Sequence, residues 1–168
     1  MTDPQSTPET PAARRPAPVR YVGIDPGDRR VGLSHGDSET ALAFPSPPAV
    51  EPDPARRMEH IAAEIRLRRA DALVVGYPLN MDGSHGPRAA AVDGFISELE
   101  ERFALPVHRV DEGLTSVEAE ATFAPRKRGR SVRERRRHRA AGETDSRAAT
   151  LILQDFLNAT HPPPAEFF

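Results

Sequence analysis

Apolar and polar residues alternate from Tyr21 to Asp25 in Tyr21-Val22-Gly23-Ile24-Asp25, a Pro26-Gly27 turn follows, and alternation resumes from Arg30 through Val31-Gly32-Leu33. Period-2 patterning on both sides of a turn predicts a β-hairpin. Val22 and Ile24 share one face of the first strand, and Tyr21, Gly23 and Asp25 share the other. The carboxylate of Asp25 therefore points to the side on which Gly23 leaves space. A third short run, Ala41 to Phe44, adds an antiparallel strand that Pro45, Pro47 and Pro48 are expected to end. His35 reads as a turn or strand-end residue.

Further along, the period changes. Asp53-Pro54 has the form of an N-cap with proline in the first turn, and Met58, Ile61, Ala62 and Ile65 recur at helical spacing, predicting an amphipathic helix on a sheet. The continuous apolar run Ala72-Leu73-Val74-Val75-Gly76 suits a strand covered on both faces. Pro87 opens a second helix whose core face is Val92, Phe95, Ile96, Leu99 and Phe103, and a strand follows at Val107 to Val110. Thr115 and Glu118 form a capping box for a helix after that strand. Thr144 can cap a last helix from Asp145, buried along Ala148, Ala149, Ile152, Leu153, Phe156 and Leu157. Strands alternating with helices place the chain in the α/β class.

Composition narrows the chemistry. The chain has 168 residues, a net charge of −2 and no cysteine, which excludes disulfides, thiolate nucleophiles and thiolate metal sites. The sequence contains no apolar run of roughly 20 residues and no secretory signal, so a cytoplasmic protein is expected. Residues 1–19 read as a disordered Pro-rich leader, 20–160 as one domain and 161–168 as a frayed tail.

Charge is unevenly spread. Between Arg126 and Arg139 stand nine basic residues and one acid, a local charge of +8. Such a block reads as a solvated arm, and a polyanion is its natural partner. Acids gather at two kinds of place: at strand ends, Asp25 and the pair Asp111-Glu112, and at a helix start, Asp145 on its buried stripe. A carboxylate there is held by a turn or a helix dipole, or it faces a cation. The loop Gly76-Tyr77-Pro78-Leu79-Asn80-Met81-Asp82-Gly83 leaves the C-terminal end of a strand, the edge that borders ligand crevices in open α/β sheets.

Four blocks together carry a resemblance: Gly23-Ile24-Asp25-Pro26-Gly27 with Arg30 and Gly32, Val75 to Gly83, Asp111-Glu112-Gly113-Leu114-Thr115-Ser116, and Asp145-Ser146 before an Ala-rich helix. They resemble the signature blocks of the bacterial YqgF family, described as Holliday-junction resolvases and as nucleases that mature precursor 16S ribosomal RNA. The resemblance covers roughly residues 20–160. It implies a ribonuclease-H-like fold: a mixed five-stranded sheet, its first three strands antiparallel, with helices on both faces. It also implies a nuclease centre formed by Asp25, Glu112 and Asp145, with Asp111 as a further ligand. Oxygen-only ligands select Mg²⁺ or Mn²⁺, and two such ions about 4 Å apart would activate water and stabilise the leaving oxygen.

The resemblance further implies a nucleic-acid partner, precursor ribosomal RNA or branched DNA, met by a monomer or homodimer. Arg30, Asn80, Thr115 and Ser116, with Arg126, Lys127, Arg128, Arg130, Arg133, Arg135, Arg136 and Arg137 of the basic arm, are the residues expected to contact it. Two positions depart from the family pattern. Gly113 stands where an arginine is usual, and Glu143-Thr144 replaces a basic residue before the last aspartate. Two other classes fit parts of the chain: a non-catalytic nucleic-acid-binding factor in ribosome assembly or transcription, and a phosphotransferase, whose first phosphate loop Asp25-Pro26-Gly27 resembles. Enzymes of the latter class carry two such domains, whereas 168 residues suit one.

Overall fold

A computed structural model describes residues 16–78, 84–111 and 143–162. The leader through residue 15, Asn80, Glu112, Gly113, the capping-box helix from Thr115, the basic arm and the last six residues lie outside the described residues. The described elements are β1 (Arg20–Pro26), β2 (Val31–Asp37), β3 (Ala43–Ala49), α1 (Pro54–Arg68), β4 (Ala72–Tyr77), α2 (Pro87–Phe103), β5 (Val107–Asp111) and α3 (Glu143–Thr160).

The strands form one sheet in the order β3-β2-β1-β4-β5. β1, β2 and β3 are antiparallel neighbours, whereas β4 runs parallel to β1 and β5 parallel to β4. This is the sheet that the resemblance implies. Alternation along β1 divides the core in two. Val22 and Ile24 join Leu33, Leu73, Val75, Ile61, Val92 and Ile96 under α1 and α2. Tyr21 joins Val74, Ile152, Leu153 and Leu157 under α3. Helices therefore pack on both faces of the sheet.

Two strand boundaries differ from expectation. β2 continues through His35 to Asp37, pairing His35 with Val22. β3 runs through three prolines to Ala49, which the missing N–H groups do not prevent because β3 is an edge strand. Its register shifts between the partners of Leu33 and Val31, and Pro47 and Pro48 fall in that irregularity. α1 begins as expected, with Asp53 Oδ1 accepting from the Ala55 amide at 3.1 Å. α3 begins at Glu143, before the expected Asp145, within the usual latitude of helix ends.

One acid of α1 is buried. Glu64 is 6% exposed and accepts from Arg68 Nε at 2.7 Å. Burial alone would push its carboxyl up, but hydrogen bonds from Ser46 and Arg68 outweigh that and hold it below its ordinary value of 4.5. His35, which meets Ser46 Oγ at 2.9 Å through Nδ1, is pushed down by burial and by Arg68. Because the folded-state pKa of Glu64 is depressed, its stabilisation is fully present above about pH 4.5 and is lost as pH falls through the folded value. Glu64→Gln should therefore cost about 1–3 kcal/mol at neutral pH, and the gap from wild type should narrow as pH falls below 4.5. Urea unfolding at pH 7 and pH 3.5 checks this, and a gap that does not narrow in acid contradicts it.

Candidate active site

The last helix sets the geometry. α3 lies against β1, β2 and β3, and hydrogen bonds fix it at successive turns. Ser146 Oγ donates to the Ser46 carbonyl at 2.6 Å, Ser34 Oγ to the Ala149 carbonyl at 2.8 Å, and Gln154 Nε2 to the Ala41 carbonyl at 2.9 Å. Glycines let the helix approach this closely. A Cβ on Gly23 would collide with Ser34 Oγ and the Leu153 side chain, and one on Gly32 would collide with the backbone carbonyl of Asp145. Gly23 thus does not leave room for a carboxylate, as its place beside Asp25 suggested; α3 fills that space.

Gly32 is also the cross-strand partner of Asp25. Asp25 lies on the α3 side of β1, two residues beyond Gly23, and its partner sits directly beneath the first turn of α3. The two aspartates, from opposite ends of the chain, are thereby brought to one corner at the C-terminal end of β1. Asp145 is 25% exposed at its side chain, yet its Oδ2 is buried and makes no hydrogen bond among the described residues. Arg30 Nη1 stands 3.8 Å from that oxygen, a long ion pair rather than a hydrogen bond. Arg30, expected to face nucleic acid, therefore lies at the rim of the acidic corner.

Asp111 is placed differently. It pairs with Tyr77, and Tyr77 belongs to the core under α1 and α2, whereas Val110 packs on the α3 side. Alternation therefore turns Asp111 to the sheet face opposite Asp25 and Asp145. Glu112, Asn80, Thr115, Ser116 and the arginines of the arm lie outside the described residues. Among the described residues no three His, Asp or Glu side chains come together as a metal site.

A polar network that sequence reasoning missed occupies the Asp111 face. Tyr77 donates from its hydroxyl to Asp93 Oδ2 at 3.0 Å and meets His85 Nδ1 at 2.9 Å. Arg109 Nη1 forms an ion pair with Asp93 Oδ1 at 3.0 Å and lies 5.2 Å over the Tyr77 ring. Burial and the bond to Asp93 both push the Tyr77 phenol up, so it stays a donor. Arg109 is held here, on the sheet face away from Asp25. The one signal in the sequence is Asp93 itself, which interrupts the apolar face of α2 between Val92 and Ile96.

Comparison with known proteins decides the family. The RuvX model, described as Holliday junction resolvase, matches residues 19–159. The chain belongs to the RuvX family. Among curated relatives, a protein of Opitutus terrae provisionally named pre-16S rRNA nuclease is 50% identical over 147 residues, covering 87% of this chain and 96% of its own. A Chloroflexus aggregans protein of the same name is 37% identical over 142 residues, covering 84% of this chain and 95% of its own. Among solved structures, Thermus thermophilus RuvC in complex with a Holliday junction substrate aligns over 84% of this chain and 94% of that chain, with 14% identity and a TM-score of 0.45. No helix among the described residues is long and apolar enough to cross a membrane.

Proposed function

We propose that this RuvX protein is a metal-dependent nuclease that hydrolyses phosphodiester bonds in structured nucleic acid in the cytoplasm. Its preferred substrate is the 5′ region of precursor 16S ribosomal RNA, as the names of its relatives suggest, with four-way DNA junctions as the nearest alternative. The observation that carries the reading is the meeting of Asp25 and Asp145 at one corner, with an Asp145 oxygen buried and lacking a hydrogen bond. A buried carboxylate oxygen without a donor is costly unless a cation accepts it, and an all-oxygen donor set suits Mg²⁺ or Mn²⁺. The residues fit such an ion.

Asp25, Asp145 and, by the family pattern, Glu112 would hold it. A bound divalent cation supplies Lewis-acid polarisation of the phosphoryl oxygen and a water of lowered pKa. Asp25 is fixed by the β1–β2 ladder and Asp145 by the Ser146 bond to β3, so both carboxylates are pre-positioned on rigid elements. Arg30 adds positive charge at the edge where the anionic backbone approaches. The arginines of the basic arm grip phosphates, so binding is salt-sensitive and largely independent of sequence. A monomer suffices for trimming RNA, whereas a symmetric junction calls for a homodimer.

Gly113, in place of the usual arginine, favours one other reading: a binding factor without catalysis. Incubating the protein with end-labelled precursor 16S RNA and a four-way junction, in Mg²⁺, Mn²⁺ or chelator, separates the two. Cleavage that requires the cation, greater on the RNA, is expected; binding of both without cleavage of either would favour the factor.

A further inference from the structure

On the other face of the sheet, α1 and α2 do not close over the strands. α1 rests on β1, β2 and β3 and α2 on β4 and β5, leaving a cleft of about 340 Å³ between them. That volume lies at the lower end of small-ligand sites. Its floor is apolar, formed by Val31, Met58, Ile61 and Val92, all buried. Phe95, half-buried on α2, adds an aromatic wall. The lip is Pro26, Gly27 and Asp28, which directly follow Asp25.

Charge surrounds this apolar floor. Arg57, Arg88 and Arg102 line the cleft against two acids, Asp28 and Glu98. Arg57 is anchored through Nη1 to the carbonyls of Glu51 at 3.0 Å and Pro52 at 3.2 Å, and reaches the Arg29 carbonyl of the β1–β2 turn at 3.4 Å. Arg102 pairs with Glu59 of α1. Arg88, in the first turn of α2, is exposed. The same β1–β2 turn sends Arg30 to Asp145 on the opposite face, so the cleft and the acidic corner share one rigid lip.

We propose that this cleft receives one unstacked nucleotide of the substrate, flanking the phosphodiester at Asp25 and Asp145; the inference rests on the nuclease reading. The chemistry is complementary. An apolar, aromatic slot accepts a base face, Asp28 and Glu98 accept from base amino groups, and Arg88 meets the backbone phosphate. A strand crossing the lip at Gly27 needs only neighbouring nucleotides to reach from one face to the other. A base locked in a duplex cannot enter, so the cleft makes the protein prefer a single-stranded segment beside the cut.

Two variants test this without touching the acidic corner. Ala91→Leu fills the cleft from an exposed position of α2, and Phe95→Leu removes the ring while keeping bulk. The affinities of a single-stranded RNA decamer and of a blunt duplex of the same sequence are measured in chelator by fluorescence anisotropy. Both variants should weaken single-strand binding by about tenfold, the scale of one lost base–aromatic stack, and leave the duplex unchanged. Unchanged single-strand affinity, or equal loss on both substrates, overturns the proposal. Cation-dependent cleavage by wild type is scored separately. Cleavage with insensitive variants removes the cleft alone, whereas the binding pattern without cleavage removes the catalytic reading and leaves the nucleotide slot.

Discussion

Asp145→Asn should reduce cleavage by about 100-fold or more while leaving the fold intact. Asparagine keeps the shape of the side chain and its place in the first turn of α3, but removes the charge that a divalent cation requires. A hundredfold loss corresponds to about 2.7 kcal/mol of transition-state stabilisation, the least expected when a metal ligand is neutralised. The stability change should be small, because its terms are small and opposed. Losing the Arg30 pair, which is 37% and 25% exposed and 3.8 Å long, costs about 0–1 kcal/mol, as does the weaker interaction with the helix dipole. Against these, the variant no longer carries a buried carboxylate oxygen without a donor. A merely structural ion pair predicts the reverse, lower stability with cleavage retained. Thermal unfolding and single-turnover cleavage of the same preparation distinguish the two.

Gly32→Ala should lower stability by about 1–3 kcal/mol and reduce cleavage with it. The added methyl collides with the Asp145 carbonyl, a backbone atom that moves only if the first turn of α3 moves. That turn is pinned by Ser146 and Ser34, so strain reaches Asp145 itself. Gly94→Ala is the matched control. Nothing lies within 4 Å of a Cβ there, and Gly94 is inside α2, so alanine should stabilise by about 1 kcal/mol through helix propensity and leave cleavage unchanged. Urea denaturation of both variants checks the signs. A Gly32→Ala protein as stable and active as wild type would mean that α3 does not need its close approach to β2.

The parts of this molecule that sequence could reveal are those written in local periodicity. The β1–β2 hairpin, the Asp53 cap of α1, the all-apolar β4 and the stripe of α3 follow from neighbours in the chain, and the four signature blocks point to Asp25 and Asp145. What depends on position in the sheet was not legible. Prolines end a central strand but not an edge strand, and whether β3 is an edge is decided by topology. Asp111 and Asp25 both sit at strand ends; that they face opposite ways emerges only when Asp111 is seen beside Tyr77. Gly23 reads as open space because the helix that fills it lies more than a hundred residues away. The Tyr77–His85–Asp93–Arg109 network joins β4, α2, β5 and the segment before α2, and its one local trace is Asp93 beside the apolar face of α2.

Asp25 is the central residue of the proposed catalytic centre. The most direct measurement is cleavage of end-labelled precursor 16S RNA by wild type and Asp25→Asn in Mg²⁺ and Mn²⁺, with binding of the same RNA followed in chelator. The variant should bind as wild type does and cut at least about 100-fold more slowly in either ion. A variant that cuts as fast as wild type would contradict the assignment of the acidic corner as the catalytic centre.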